Sequence, residues 1–394
     1  MGIPAPLLPA IDFAHHEVPN LHELYAELRP HGSVVPVRYH DRPTWLINGY
    51  DEVRRAFADE VHFQSAATYL IHGEPSMGRT LQTMSGREHS VNRGLVSGSF
   101  FPKVVRGYIE SLIEPIAHEL LDALGDADEL DLIPAFTRPF PFRVITRLFG
   151  IPVTDEPRLL HWALKLIDYP WDPSGAVQAR HDFASYLQPF LDERRRTPGT
   201  DLLSRLATAE FEGHRLSDEE IYSFARMIYP AGSDTAYKNG GSLLSAILAD
   251  PELRARARAG DAERRALVHE GLRWEPPVAN LPRICSANVQ LGEAHIQAGE
   301  WTLFSISAAN SDPRVFNEPR RFDPARNHEI LSFGQGAHFC LGAHLARREI
   351  TVMFRQLFGR LPDIHVTGDA VPLRSFFLNG VKHMPCAFTP GGAR

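Results

Sequence analysis

The sequence predicts a mainly α fold with a minor β region, an α+β arrangement formed as one domain over residues 1–394. Three observations predict it. Segments with apolar residues at i, i+3, i+4 and i+7 fill residues 50–275 and return at 341–358. Strand-like segments stand near the two ends, around 34–49, 283–306 and 374–388. The 31 prolines and 29 glycines are spread as punctuation, with no fixed-period repeat, low-complexity tract or long linker. Length alone exceeds the roughly 250–300 residues at which a single core usually stops growing and would favour two or three domains. The missing linkers favour one helical body with a small sheet.

Taken in order, VVPVRY (34–39) and TWLING (44–49) flank HDRP and read as a β-hairpin. DEVRRAFAD (51–59), VRGYIESLIEPIAHELLDALG (105–125), PFRVITRLFG (141–150) and AVQARHDFASYLQPFLDERRR (176–196) carry helical spacing. The longest helix is expected over 217–250. Ser217 and Glu220 form a capping box, Ile221, Phe224, Ala225 and Ile228 keep the repeat, and Pro251 ends it. At about 1.5 Å per residue it is roughly 50 Å long. A second helix, 261–275, stops at Pro276-Pro277. LGAHLARREITVMFRQLF (341–358) is amphipathic, with Leu341, Leu345, Ala346, Ile350, Met353 and Leu357 on one side.

Hydrophobic content of 43% and charged content of 23% belong to a soluble globular chain. The net charge of −7, from 41 Lys and Arg against 48 Asp and Glu, gives no basic surface for nucleic acid. Cys285, Cys340 and Cys386 are odd in number and scattered, so a reducing, cytoplasmic setting is expected rather than a disulfide framework. The start, MGIPAPLLPAIDFAHHEVPN, has no basic stretch followed by an apolar run, so neither a signal peptide nor membrane insertion is expected.

Cys340 lies in FGQGAHFCLG (333–342). A lone cysteine is more often a small buried hydrophobe. Here Gly334, Gly336 and Gly342 give the backbone freedom that a merely buried thiol does not need. The amphipathic helix that follows puts Cys340 at a helix N-terminus, where unpaired N–H groups and the dipole favour thiolate. A zinc site with His338 and His344 lacks the paired cysteines that structural zinc prefers. One thiolate suits an axial haem ligand, because the porphyrin supplies four donors and the thiolate favours O–O cleavage.

FGQGAHFCLG resembles the haem-binding loop F-G-x-G-x-H-x-C-x-G of the cytochrome P450 family, with every fixed position present. The resemblance implies haem b with Cys340 as iron ligand and Phe333, Gly334 and Gly342 shaping the loop. AGSDT (231–235) resembles the family's A-G-x-[DE]-T. It implies that Ala231 and Gly232 border the cofactor and that Asp234 and Thr235 hold an ordered water and relay protons during oxygen activation. Read by itself, the same stretch is a helix break with a Ser, Asp or Thr cap, which Pro230 would reinforce. In the family a local widening of this helix is expected here.

Glu270 and Arg273 in EGLR match E-x-x-R, and Arg326 in FDPAR matches the arginine that joins them; together they imply a bracing network. REHSVNRGLV (87–96) is similar to the family's H-x-x-x-R and nominates His89 and Arg93 for the haem propionates, with Arg283 and His338 completing the set. Segments 67–86 (a loop), 166–175, 227–231, 278–281 and 374–380 (a hairpin) are implied to line the substrate pocket, with Tyr69, Ile71, Ile228, Val278 and Phe377 as apolar wall.

The expected function is a bacterial-type monooxygenase. It would insert one atom of dioxygen into a hydrophobic small molecule, with electrons from a separate ferredoxin and ferredoxin reductase or a flavin-type donor, and act as a monomer. His344, Arg347 and Arg348 would steer an acidic carrier. A haem-thiolate peroxygenase is the enzymatic alternative, against which Asp234 and Thr235 argue. A haem-based ligand sensor is the non-enzymatic one.

Overall fold

The computed structural model describes residues 3–125, 127–373 and 375–389. The chain divides into two compact units, Met1–Ala67 with Lys238–Cys340 and His365–Ala387, and Thr68–Tyr237 with Leu341–Ile364 and Phe388–Arg394. Helices dominate and the sheets are small, as the periodicity predicts.

The first unit holds a four-stranded sheet in the order Val34–Tyr39, Arg42–Ile47, Trp301–Ser305 and Asn280–Ile284. The first pair is antiparallel, with Val34 opposite Ile47, and Arg42–Ile47 runs parallel to Trp301–Ser305. Because strand side chains alternate between faces, Trp45, Ile47 and Phe304 enter one core cluster with Val53 and Leu331. Leu46, Val35 and Leu303 enter the other with Leu24 and Phe376. The hairpin turns through two residues, His40 and Asp41, at φ of 48° and 59°. That left-handed conformation matches the twist of the strands but usually asks for Asn or Gly. The buried Asp12 carboxylate offsets the strain by accepting the N–H of His40 at 3.1 Å and of Asp41 at 2.6 Å.

The second unit packs helices around aromatic side chains. The Tyr229 ring meets Phe142 and Phe183 at 5.5 Å each and Phe149 at 5.9 Å. The helix expected over 105–125 is instead Pro102–Tyr108, a π turn Ile109–Ile113, and Glu114–Asp122. Pro115 explains the change. It cannot donate to the carbonyl of Ser111, and a widened turn removes the clash. Residues 67–86, expected as a loop, form the end of helix Ser65–His72, the single turn Glu74–Met77 and then coil, before helix Gly86–Ser97 begins.

The long helix is Asp218–Ala249, with residues up to 237 in the second unit and from 238 in the first. The capping box forms: Glu220 Oε2 accepts from the Ser217 N–H at 2.8 Å and from its hydroxyl at 2.7 Å. The helix runs unbroken as α through Pro230, with neither break nor widening. The expected strand stretch 283–306 resolves into Asn280–Ile284, Val289–Leu291, Ala294–Ile296 and Trp301–Ser305. The expected hairpin at 374–380 is the connection between Val371–Pro372 and Val381–His383, which pair antiparallel; an isolated bridge joins Leu378 to Val278, and Arg374 lies outside the described residues.

Candidate active site

In the first unit the cysteine loop is a tight return. The Cys340 N–H donates to Phe333 O at 2.9 Å, that of Gly334 to Leu331 O at 2.9 Å, and that of Phe339 to Gly336 O at 3.1 Å. Gly334 and Gly336 sit at φ of +67° and +71°, and a Cβ on Gly336 would stand 3.0 Å from Phe57 O. Glycine is therefore needed both for the turn and for the approach to helix Tyr50–Ala58. Cys340 is exposed, whereas Cys285 and Cys386 are buried. Burial pushes the Cys285 thiol up.

The expected helix N-terminus at Cys340 is displaced. The helix is Ala343–Arg360 with Gly342 as its cap, because the Cys340 N–H is already engaged on Phe333 and the chain must first turn at Leu341 and Gly342. The loop's other candidates are half-buried: Phe333, with its ring 6.4 Å from Phe339, and His338, whose Nε2 lies 3.6 Å from Glu60 Oε2.

Beneath the loop, Glu270 and Arg273 are buried together, with Nη2 to Oε1 at 2.6 Å and Nε to Oε2 at 2.8 Å. The same guanidinium donates to Asn310 O at 2.9 Å and Pro319 O at 2.8 Å, and Glu270 Oε1 accepts the Asp323 N–H at 2.9 Å. Arg326 Nε approaches Glu270 Oε1 at 3.6 Å. Asn310 extends the brace, since its amide donates to Ser332 Oγ at 2.8 Å and its Oδ1 accepts the Leu331 N–H at 2.9 Å. Arg283 is buried on strand Asn280–Ile284, with its guanidinium 5.7 Å from the Phe304 ring. Val278 and Phe377 are half-buried in this unit, where the Ala279 N–H donates to Phe377 O at 2.7 Å.

In the second unit, His89 is buried and Arg93 half-buried on helix Gly86–Ser97, one turn apart and so on one face. Midway along the long helix Tyr229, Ser233, Asp234 and Ala236 are buried, while Ala231 is exposed. A Cβ at Gly232 would collide with Ile145 Cδ1, so glycine permits the close packing of helix Pro139–Leu148 there. Thr235 donates to Ala231 O at 2.7 Å. One turn on from Asp234, Tyr237 is pushed up to about 12 by burial and by the Asp234 carboxylate, with the Arg138 guanidinium, 5.5 Å from its ring, opposing. Tyr69 is half-buried, Ile71 exposed and Ile228 buried.

Comparison with known proteins decides what this arrangement is. The Cytochrome P450 family profile matches residues 264–362, from helix Asp261–Trp274 through the cysteine loop to the end of the following helix. The 6-deoxyerythronolide B hydroxylase of Saccharopolyspora erythraea is 32% identical over 383 residues, 92% of this chain and 94% of that protein. Cyclomarin C epoxidase CymV of Salinispora arenicola is 31% identical, covering 92% and 93%. The solved structure of the bacillaene polyketide synthase cytochrome P450 PksS of Bacillus subtilis superposes with a TM-score of 0.87 at 28% identity, over 94% of this chain and 97% of that one.

The chain belongs to the cytochrome P450 family.

This P450 is therefore a haem-thiolate monooxygenase, an enzyme that oxidises a substrate with incorporation of oxygen from dioxygen and takes its electrons from a redox partner. Its cofactor is thiolate-ligated haem b. The residues present suit that group. In the first unit an exposed sulfur stands on a glycine-turned loop, and the buried Arg283 and half-buried His338 are cations of the kind that propionates need. Among the described residues the cluster of three metal-ligating side chains is Asp12, His15 and Asp41, which does not include Cys340. No helix among the described residues is long and apolar enough to cross a membrane.

Sequence reasoning passed over Arg226, a buried arginine within the apolar run IYSFARMIYP of the long helix. Its signal was there, as the lone charge in a ten-residue stretch that is otherwise mostly apolar.

Proposed function

We propose that this P450 hydroxylates or epoxidises a hydrophobic small molecule and works as a single cytoplasmic monomer. Cys340 supplies the axial thiolate. His89, Arg93, Arg283 and His338 neutralise the propionates, Phe333, Gly334 and Gly342 shape the thiolate loop, and the exposed Ala231 leaves room on the long helix for the cofactor, whereas Gly232, expected to border it, is taken up by the packing against Ile145. Bound haem supplies the one-electron and dioxygen chemistry. Asp234, buried on the long helix, takes protons from solvent, and the Thr235 hydroxyl passes them on through an ordered water. In the resting state that hydroxyl is held by Ala231 O at 2.7 Å, so a small rotation of one side chain opens the relay. Glu270, Arg273 and Arg326 brace the loop against movement. Tyr69, Ile71, Ile228, Val278 and Phe377 supply the apolar wall that orients substrate.

Electrons come from a separate acidic carrier, of ferredoxin or flavin type. A groove of about 150 Å³ lined by Pro102, Val105, Arg106, His344 and Arg348 offers such a partner a basic surface beside the helix that follows Cys340.

The observation that carries this reading is Cys340 itself, the exposed one of three cysteines, with its backbone N–H tied to Phe333 O in a left-handed glycine turn. The test is a panel of hydrophobic and polar compounds titrated into the ferric protein. Apolar compounds are expected to shift the Soret band from low to high spin, and a response confined to charged or strongly polar compounds refutes the assignment of substrate class.

A further inference from the structure

The single turn Glu74–Met77 follows directly on helix Ser65–His72, which carries Tyr69 and Ile71. Four residues cannot sustain a helix, and the last carbonyls of any helix have no partner within it. Here two arginines meet them. Arg180 Nη1 donates to Glu74 O at 3.1 Å and Pro75 O at 3.2 Å. Arg226 Nη1 donates to Met77 O at 3.4 Å, and its Nε to Arg180 O at 3.2 Å. One carboxylate oxygen, Glu219 Oε1, joins the two cations, accepting from Arg180 Nη2 at 2.8 Å and Arg226 Nη1 at 3.0 Å. Ser76 Oγ completes the seat by donating to Leu166 O at 2.9 Å.

The fit is close. Gly78 sits at φ +83°, and a Cβ there would collide with Ser223 Oγ, so the backbone of the segment lies directly on the long helix between Glu219 and Arg226. The Arg226 side chain is 2% exposed, and burying a guanidinium is costly unless it is paired and hydrogen-bonded, as it is here through Nε and Nη1. On the other side a Cβ at Gly73 would stand 3.1 Å from the Tyr69 ring. A movement of the turn therefore reaches a side chain assigned above to the substrate wall.

We propose that Arg226 and Arg180, joined through Glu219, are positioning residues for substrate selection: they clamp residues 74–80 onto the long helix and thereby set how large a ligand enters. The inference rests on the reading of Tyr69 and Ile71 as substrate-facing. Without the clamp the turn loses both arginine donors and keeps the Ser76 bond to Leu166 O, the Arg79–Glu74 pair and its own weak helical bonds, such as the Met77 N–H to Gly73 O at 2.8 Å.

The test compares the holoenzyme with Arg226→Met and, in case that variant folds poorly, with Glu219→Gln, whose side chain is 56% exposed in the parent. Hydrogen–deuterium exchange over residues 74–80 reads the clamp, and stopped-flow association of imidazole and of 4-phenylimidazole reads ligand entry. Exchange in that segment is expected to quicken roughly tenfold or more, as charge-assisted bonds are lost. The 4-phenylimidazole rate should change about threefold or more relative to that of imidazole, a ratio that a general loss of stability would not move. Unchanged exchange in a folded variant overturns the clamp and leaves the substrate-facing reading untouched. Faster exchange with an unchanged ratio of rates overturns the substrate-facing reading of this segment, and with it the role in selection.

Discussion

Replacing Arg273 by alanine strikes the brace beneath the cysteine loop. The side chain makes five hydrogen bonds: two to Glu270 and one each to the carbonyls of Asn310, Pro319 and Arg321. Glu270 is 0% exposed, so the substitution strands a carboxylate whose remaining contacts are the Asp323 N–H at 2.9 Å and Arg326 Nε at 3.6 Å. Removing one partner of a buried ion pair typically costs about 3–5 kcal/mol. With an unfolding entropy of about 2.1 cal/mol/K per residue, the 394-residue chain loses about 0.8 kcal/mol per degree, so the melting temperature should fall by roughly 4–6 °C. Differential scanning calorimetry of the haem-loaded protein measures it, with Arg321→Ala, from a pair more than 60% exposed on both sides, as a control shifting by less than about 1 °C. Arg273→Lys should recover less than half of the loss, because an ammonium cannot reproduce the fork. The Glu270→Gln, Arg273→Ala double variant should cost less than the two single changes added, since it leaves no uncompensated charge. An Arg273→Ala protein melting within about 1 °C of the parent would mean that the pair is not what holds these strands of chain together.

Three further outcomes are expected. Cys340→Ala should abolish the strongly red-shifted Soret band of the reduced, carbon monoxide-bound protein; an unchanged spectrum removes the axial ligand assignment. Thr235→Ala should divert reducing equivalents from product to hydrogen peroxide, and equal coupling in variant and parent would show that protons travel by another route. Glu349, 1% exposed and with Oε1 unsatisfied, is held well above the usual carboxylate range by burial. The native chain thus keeps a proton that the unfolded chain has lost; the contribution to stability is full below the ordinary carboxylate pKa and fades as pH rises towards the native one. Glu349→Gln should therefore gain melting temperature over the parent as pH is raised from about 4 to 8, and a constant difference refutes the buried, protonated state.

What could be read from the sequence divides by distance along the chain. The cysteine loop closes within eight residues, from Phe333 O to the Cys340 N–H, and its glycines announce the positive φ that the turn needs. Glu270 and Arg273 meet across one helical turn, and Ser217 and Glu220 do the same. Such contacts follow from helical or turn geometry alone, so a motif carries them. Element boundaries were lost where one residue competed with a longer pattern, as Pro115 does in a stretch otherwise helical from 102 to 122.

The clamp on residues 74–80 had no such local signature. Arg226 reaches Met77 across 149 positions and Arg180 reaches Glu74 across 106, so nothing in either neighbourhood names the other. What the sequence does show is the cost side of that arrangement: an arginine in an apolar helix and a turn too short to hold itself, each unexplained until the fold brings them together. Two local deficits that satisfy each other are a firmer sign of a built contact than either alone. The same logic separates the cysteines, since the burial of Cys285 and Cys386 needs no further partner, whereas a glycine-turned loop that holds its thiol outward on Cys340 does. In this P450 the motifs expected to serve oxygen activation are therefore short and local, whereas the contacts of the proposed clamp come together only in the fold.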